Sequence, residues 1–337
     1  MRKQILTAAV MAACMGVSVA SMADETTKVG GKAYIDFTNL DKKVSGTKDD
    51  ASGLGFDLTR FYLAVDHTFD DMWSANLTTD VTYDGTANEV YVKKAYLQGK
   101  FSDAAVLRVG SADMPWIPYV ENTAWSYRFV EKTLVDRTGF GTSADWGAHV
   151  GGKIMDGMVN YAVSAVNGNG YKNQTRSKSV DFEGRLGVMP VKGLDVAVGF
   201  YNGKRGKDVQ SASGINTASR LNFLAAYSQD MFNVGVEYFS AEDWNPAAAK
   251  DKADGYSVFG SVKAGENASV FARYDEVKPN KTTSSSLKDT YYVAGVAYTV
   301  RKNVDLALAY KNEQLKNNTS TKPLDSSEIG VWTQVKF

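Results

Sequence analysis

Cysteine and histidine are almost missing from this sequence. Among its 337 residues, Cys14 is the only cysteine, and His67 and His149 are the only histidines. These counts exclude a disulfide framework, a Cys-rich metal centre and a c-type haem site, and they leave little with which to build a zinc site. The sequence therefore predicts neither a metal ion nor another cofactor.

The residues that a hydrolytic enzyme needs are also poorly represented. A Ser-His-Asp arrangement could use either histidine as the base, with Asp66 or Asp145 as the orienting acid. The two histidines fall in well-separated segments, however, and the sequence contains no Gly-x-Ser-x-Gly. We therefore predict that the protein is not an enzyme.

Neither sign of charge is in excess. The sequence has 38 lysines and arginines and 38 aspartates and glutamates. Loss of an N-terminal segment that carries Arg2 and Lys3 would leave 38 − 2 = 36 basic against 38 acidic residues, a net charge of −2. A balance of this kind indicates neither a nucleic-acid partner nor attraction to an anionic membrane surface.

Long hydrophobic runs are absent as well, and the one apolar stretch lies at the N-terminus. Arg2 and Lys3 precede an apolar or small-residue run over residues 5–19. Ser21 and Ala23 then supply the small residues that a signal peptidase reads. The run is too short to be a transmembrane helix.

These features predict a secretory signal peptide over residues 1–23. Cleavage after Ala23 would release residues 24–337 as a single domain without cysteine. A lipoprotein signal, with Cys14 as the modified residue, is the alternative.

Alternation of apolar and polar residues fills the rest of the sequence. In one segment Val270, Ala272 and Tyr274 alternate with Arg273 and Asp275. A period of two is typical of a strand whose faces meet two different environments. The pattern recurs about sixteen times in segments of roughly ten residues, the length at which a tilted strand crosses a membrane.

The connections between these segments alternate in length. Longer polar loops, such as residues 203–217 and 278–288, are followed by short turns, such as residues 155–157 and 301–303. Outer-membrane barrels have long loops on one side and short turns on the other. The sequence therefore predicts an all-β fold, an antiparallel transmembrane β-barrel of about sixteen strands.

Charged residues follow the same period and so share the inner face of the predicted barrel. On the lipid face a basic residue would cost about 2–4 kcal/mol at mid-depth. The predicted inward residues are Arg60, Lys94, Arg108, Arg185, Arg220, Arg273, Lys311 and Lys336, with Asp66, Asp80, Asp181, Glu183, Glu237, Asp275 and Glu328. Because the two signs nearly balance, this interior favours a general diffusion pore over a dedicated anion channel.

Several short segments resemble those of bacterial outer-membrane porins of the general diffusion and phosphate-selective types. They are residues 114–119, 127–134 and 145–150. The last strand, residues 328–337, ends in Phe337 and looks like the signal that the barrel-assembly machinery reads in such proteins. The resemblance implies a homotrimer in the lipid of the bacterial outer membrane, with the third long loop folded inside each barrel.

One stretch, residues 113–147, interrupts the alternation for about thirty-five residues. A connection of this length without regular structure is usually functional. It would be the third of the longer loops. We predict that it folds into the lumen of the barrel and sets the width of the pore.

Charges in this stretch and on the facing wall are candidates for a pore constriction, because rings of charge at a narrow point set ion preference. The candidates are Arg128, Glu131, Lys132, Asp136 and Arg137 in the stretch, and Arg60, Lys94 and Arg108 on the wall. The alternative is that these charges pair with one another or hold the loop to the wall.

The aromatic residues of the stretch have two interpretations. They could stack against a sugar solute, or they could pack the loop and a subunit contact. The residues concerned are Trp116, Tyr119, Trp125 and Tyr127.

The function predicted from these features is passive diffusion of ions and small hydrophilic solutes through a water-filled channel. One alternative is a channel selective for phosphate, another anion or a sugar. Another is a barrel that serves as an adhesin or a structural anchor. An anchor would carry an additional domain, and no composition shift or proline-rich linker marks one.

Overall fold

The computed structural model describes residues 25–83, 87–319 and 321–337. The predicted signal peptide, its cleavage site and the predicted loop at Asp84 and Gly85 lie outside these residues. Strands fill most of the described chain. They are β1 (Thr26–Val44), β2 (Thr47–Lys48), β3 (Gly53–Thr68), β4 (Trp73–Tyr83), β5 (Asn88–Ser102), β6 (Ala105–Asp113), β7 (Ala144–Ile154), β8 (Val159–Val166), β9 (Asp181–Val191), β10 (Leu194–Gly203), β11 (Ala218–Ser228), β12 (Phe232–Glu242), β13 (Lys252–Lys263), β14 (Ala268–Lys278), β15 (Lys288–Arg301), β16 (Val304–Lys316) and β17 (Leu324–Lys336).

The strands form one closed antiparallel barrel. Each strand from β3 to β17 pairs with its neighbour along the chain, and β1 pairs with both β3 and β17. Strand β2 contributes only two residues next to the end of β1, which leaves sixteen strands in the wall. The predicted barrel and its approximate strand number are confirmed.

The two faces of the wall are inverted relative to a water-soluble protein. Along β13, Val258 and Val262 are 52% and 55% exposed, whereas Ser257 and Phe259, on either side of Val258, are buried. The same alternation places apolar side chains outside and charged ones inside on most strands. An apolar exterior around a polar interior is typical of a barrel surrounded by lipid.

Aromatic side chains pair across neighbouring strands near both rims. Trp73 and Phe101 lie edge to face at 6.1 Å on the rim formed by the short turns. Tyr292 and Tyr310 lie 5.9 Å apart between their ring centroids, near the rim formed by the long loops. Such belts mark the two interfaces of a membrane barrel.

Several strands are longer than their hydrophobic alternation predicts. In the sequence, apolar and polar residues alternate over residues 32–37, which predicts a strand there. Strand β1 instead continues to Val44, which pairs with Leu324 of β17. The polar residues 313–326 likewise predict a final loop, but β16 continues to Lys316 and β17 begins at Leu324, so this loop is shorter than expected. The cause is that polar residues at the loop end continue the ladder of backbone hydrogen bonds without any apolar partner.

The stretch predicted to be without regular structure contains two short helices. They are α1 (Ile117–Thr123) and α2 (Leu134–Arg137), and strands β6 and β7 occupy its two ends. Pro118 is compatible with α1 because it lies in the first turn, where its missing N–H has no helical acceptor. Neither helix of the described residues is both long enough and apolar enough to cross a bilayer.

We expect Gly110→Ala to destabilise the barrel. Gly110 has φ of 128°, and a Cβ there would lie 2.1 Å from the Ala95 carbonyl oxygen of β5. Backbone strain of this kind costs roughly 1–3 kcal/mol. The temperature at which the folded band disappears in a heat-modifiability gel should fall. Gly55→Ala, where a Cβ would meet nothing within 4 Å, is the control and should leave that temperature unchanged.

Candidate functional site

Residues 114–143, which connect β6 to β7 and are here named the long segment, contact strands far from their own. The backbone N–H of Trp116 donates to Glu183 of β9 at 3.0 Å, and its indole Nε1 donates to Glu237 of β12 at 2.8 Å. Tyr127 stacks on Phe271 of β14, with 4.1 Å between ring centroids. These partners belong to the alternately buried face of the strands.

The main apolar cluster of the protein forms where the long segment meets this face. Ile117, Val120 and Leu134 of the segment are completely or almost completely buried, together with Leu224 and Phe239 of the wall. Burial of such a side chain contributes about 1.5–3 kcal/mol. The segment is therefore held by hydrophobic contact as well as by hydrogen bonds.

The sugar-stacking interpretation does not hold for two of its four residues. Trp116 and Trp125 are 0% and 2% exposed, so their rings are not accessible to a solute. Trp125 instead lies edge to face with Tyr127 at 5.4 Å and donates its Nε1 hydrogen to the Glu131 carbonyl at 2.8 Å. Tyr119 and Tyr127 keep partial exposure.

Arg137 anchors α2 to the wall through three carboxylates. Its Nε, Nη1 and Nη2 atoms lie 3.0, 2.7 and 3.0 Å from Asp275, Glu313 and Asp289. Its guanidinium carbon also lies 4.5 Å from the ring centroid of Tyr291. Burial opposes the charged form, but the three acids outweigh it and raise the pKa of Arg137 above its ordinary value. This arginine holds the segment to β14, β15 and β16.

Arg128 bridges two parts of the long segment. It lies 2.5 Å from Glu121 after the first turn of α1 and 3.2 Å from Asp136 in α2. Burial works against its charge, but Glu121 and Asp136 raise the pKa of the Arg128 guanidinium above its ordinary value. Both acid partners are thus neutralised within the segment.

Glu131 faces the wall rather than the other charges of the segment. The hydroxyl of Tyr291 donates to it at 3.1 Å, and Lys311 lies 3.7 Å away. Burial alone would raise the pKa of Glu131, but Lys311 and Arg273 lower it below its ordinary value. The side chain of the neighbouring Lys132 forms no ion pair with any described residue, while its carbonyl accepts a hydrogen bond from Arg273.

The three candidate basic residues of the wall lie on β3, β5 and β6. Arg60 pairs with Asp80 at 3.2 Å, and Lys94 pairs with Asp113 at 2.6 Å. Arg108 instead donates to the amide oxygen of Gln98 at 2.8 Å.

Lys93 is an inward residue that the alternation did not reveal. The pairing of β4 with β5 slips between Thr78 and Thr79, so Thr78 lies opposite Lys94 and Thr79 opposite Val92. A bulge re-aims the extra residue, and Lys93 is only 8% exposed beside Lys94. Two consecutive lysines within a strand were the one signal in the sequence.

Lys93 has an aromatic environment and lacks an acid partner in the described structure. Its Nζ donates to the Tyr62 hydroxyl at 3.3 Å and lies 4.6 Å from the centroid of that ring. On β9 and β14 the buried acids Glu183 and Asp275 are paired with Arg220 and Arg273, at 2.8 and 2.6 Å. Lys93 differs from these residues in having no oppositely charged partner among the described residues.

Phe337 closes the chain next to the N-terminal strand. Its carbonyl accepts from Gly31 N–H at 2.8 Å, its N–H donates to the Gly31 carbonyl at 3.1 Å, and its ring lies 6.2 Å from Phe61. Its predicted role as an assembly signal stays a prediction. Within residues 25–83, 87–319 and 321–337, no group of three or more His, Cys, Asp or Glu residues could hold a metal ion.

We expect Arg137→Met to loosen the long segment. Removing one partner of a buried ion pair typically costs about 3–5 kcal/mol, because it leaves an uncompensated buried charge. Since Arg273 still compensates Asp275, the lower part of this range applies here. Urea unfolding in detergent should show a lower midpoint for this variant. Lys278→Met, at an exposed strand end, should not change the midpoint.

Comparison with solved structures identifies the fold. The anion-selective porin from Comamonas acidovorans has a TM-score of 0.71 at 11% identity, over 93% of this chain and 100% of that porin. The outer-membrane channel DcaP of Acinetobacter baumannii has a TM-score of 0.68 at 13% identity, over 96% and 100% of the two chains. OmpT of Vibrio cholerae, an outer-membrane protein solved in a trimer form, has a TM-score of 0.63 at 15% identity, over 94% and 100%.

Sequence comparison adds nothing to this assignment. No protein-family model matches the chain, and no curated protein matches it. At the identities above, the structural similarity concerns the fold alone. The predicted resemblance to outer-membrane porins is confirmed at that level, since the chain has the barrel fold of these proteins.

Proposed function

We propose that this protein is an outer-membrane porin that lets ions and small hydrophilic solutes diffuse passively. The observation that carries the proposal is the inverted wall, with exposed valines, leucines and tyrosines outside and buried charges inside. Only a closed barrel lets strands cross hydrocarbon with every backbone group paired. A charged interior of this kind holds water rather than lipid.

The long segment is proposed to lie inside the barrel and to narrow the pore. Its bonds to Glu183, Glu237 and Asp275 support this placement, because these acids alternate with the apolar outward residues of their strands. The constriction would then combine Arg128, Lys132, Arg137, Glu131 and Asp136 with the wall residues Arg60, Lys94 and Arg108. Within this set, Arg137 anchors the segment and the Lys132 side chain is free to face the pore.

A preference for anions is the second candidate function. Lys32 of β1, Lys93 of β5 and Lys336 of β17 have no carboxylate partner among the described residues. The buried acids Glu183, Asp275 and Asp289 of β9, β14 and β15 are instead paired with arginines. Such an imbalance attracts anions through the local field. The nearly balanced count of charges in the sequence did not show it, because pairing depends on the fold.

The remaining assignments follow the same proposal. Residues 1–23 would be a signal peptide, residues 24–337 the barrel, and Phe337 the residue that the barrel-assembly machinery reads. The assembly would be a homotrimer in outer-membrane lipid, in line with the trimer form of OmpT. The same proposal holds that the protein is a channel and not an enzyme.

Purified, folded protein should form channels in a planar lipid bilayer. The conductance should rise in steps whose sublevels occur in threes, because each barrel of a trimer conducts independently. Folding is checked on a heat-modifiability gel before the recording. Folded protein that inserts without any conductance would contradict the proposed function.

Lys132→Glu should shift the reversal potential in a KCl gradient toward cation preference. The substitution reverses a charge at the proposed constriction, where the low dielectric surroundings strengthen its field. Lys250→Glu, in the long loop between β12 and β13, makes the same charge change on an exposed residue and serves as the control. Equal reversal potentials for the two variants would place Lys132 away from the narrow part of the pore.

A further inference from the structure

A cavity of about 1310 Å³ lies on the side of the short turns, beneath α1. Its lining comes from β5 to β10 and from α1, and it reaches the turn residues Asp103 and Gly157. We name it the turn-side cavity. Its size exceeds that of most small-molecule sites, so a small organic solute fits inside it.

Two arginines of the turn-side cavity are held by neutral groups. Arg108 donates Nε to Gln98 and lies over the Tyr96 ring at 5.4 Å. Arg185 donates Nε to the Pro115 carbonyl at 2.9 Å, donates Nη1 to Asn160, and lies over the ring of Tyr119 at 3.6 Å. In the described part of the chain neither guanidinium forms an ion pair. Each keeps N–H groups that can donate to a solute.

His149 lies between these arginines and carries an unused nitrogen. It is directly opposite Arg108 in the pairing of β6 with β7, and its Nδ1 lies 2.8 Å from the Ser164 hydroxyl. The side chain is 5% exposed, lines the cavity, and its Nε2 has no partner among the described residues. When Ser164 donates to Nδ1, Nε2 carries the hydrogen, and this atom is buried in the wall of the cavity without an acceptor among the described residues.

The acids that line the cavity are largely bonded already. Asp103 pairs with Lys100, Asp113 pairs with Lys94, and Asp195 accepts a hydrogen bond from the Tyr119 hydroxyl, at 2.8, 2.6 and 2.5 Å. Asp156 is left in the turn between β7 and β8, where Lys153 also lines the cavity. Asp195 keeps its charge, because the Tyr119 hydroxyl is neutral. Arg108, Arg185 and Lys153 therefore face Asp156 and Asp195, which leaves an excess of one positive charge in the lining.

We propose that Arg108, His149 and Arg185 form an oxyanion-binding site in the turn-side cavity. Its ligand is a small solute that carries a carboxylate or a phosphate group, since guanidinium groups donate paired hydrogen bonds to both. The proposal rests on the channel function above and names the class of solute that the channel retains longest. The site is separate from the anchors around Arg128 and Arg137.

The first test measures binding without conduction. Folded protein in detergent is titrated with succinate and, separately, with inorganic phosphate by isothermal calorimetry. We expect saturable binding of at least one anion, and the stronger of the two shows whether carboxylate or phosphate is preferred. Arg185→Gln should weaken it about tenfold, because a hydrogen bond between charged groups is lost. Arg301→Gln, at the end of β15, removes the same charge away from the cavity and should bind like the wild type.

The second test separates the two nitrogens of His149. In His149→Gln the side-chain amide can reach the position of Nε2, whereas in His149→Asn it reaches only that of Nδ1 and its bond to Ser164. We expect binding to survive in the Gln variant and to weaken several-fold in the Asn variant. A purely structural role for the imidazole would make the Asn variant, which keeps the Ser164 bond, the better binder.

Wild-type protein that binds neither anion saturably would overturn the proposal without recourse to any variant. Equal affinities in Arg185→Gln, Arg301→Gln and the wild type would also overturn it, because binding would then lie elsewhere. The same preparations are recorded in bilayers. Conductance without oxyanion binding would refute only this site, whereas binding without conductance would refute the channel function.

Discussion

The backbone hydrogen bonds between β1 and its two neighbours are the constraint on which the rest of the structure depends. Strand β1 pairs with β17 on one side and with β3 on the other, so the wall has no free edge. An unpaired N–H or C=O group in hydrocarbon costs several kcal/mol, and an open sheet would expose a full row of them. Closure therefore permits an apolar exterior, and the polar residues must occupy the interior.

That interior cannot supply an ordinary hydrophobic core. The inward face carries acids such as Glu183, Glu237 and Asp275, which are costly to bury without partners. The long segment provides partners of both kinds: the Trp116 indole for Glu237, the Arg137 guanidinium for Asp275, and apolar side chains for Phe239 and Phe271. The long segment thus completes the packing and provides hydrogen-bond or ion-pair partners for acids of β12 and β14.

The distribution of charge follows from this arrangement. Several arginines and carboxylates of the interior form ion pairs with one another, as Arg220 and Glu183 do. On β5 and β6, the side chains of Lys93 and Arg108 are held by hydroxyl, amide and aromatic groups. These groups are neutral and leave the positive charge uncompensated. The folded barrel, rather than the net charge of the sequence, therefore decides which of these charges keep no oppositely charged partner.

Most of the fold could be predicted from the sequence, because barrel strands are encoded locally. The alternation of Val270, Ala272 and Tyr274 with Arg273 and Asp275 needs no knowledge of partners, since facing and spacing follow from a period of two. Strand ends were predicted too short where polar residues continue the ladder. The helices in residues 113–147 were not predicted, because their short apolar faces are buried only by contact with strands distant in the chain, such as β11 and β12.

The candidate site was predicted only in part. The sequence by itself determined which charges lie near the lumen, because an arginine such as Arg60 or Arg108 cannot face lipid. Only the tertiary structure decided which of them are free. Arg137 is bound by acids from three strands that follow it by more than a hundred residues, and Lys93 turns inward through a one-residue slip. Pairing and register are long-range properties, and no local pattern of residues contains them.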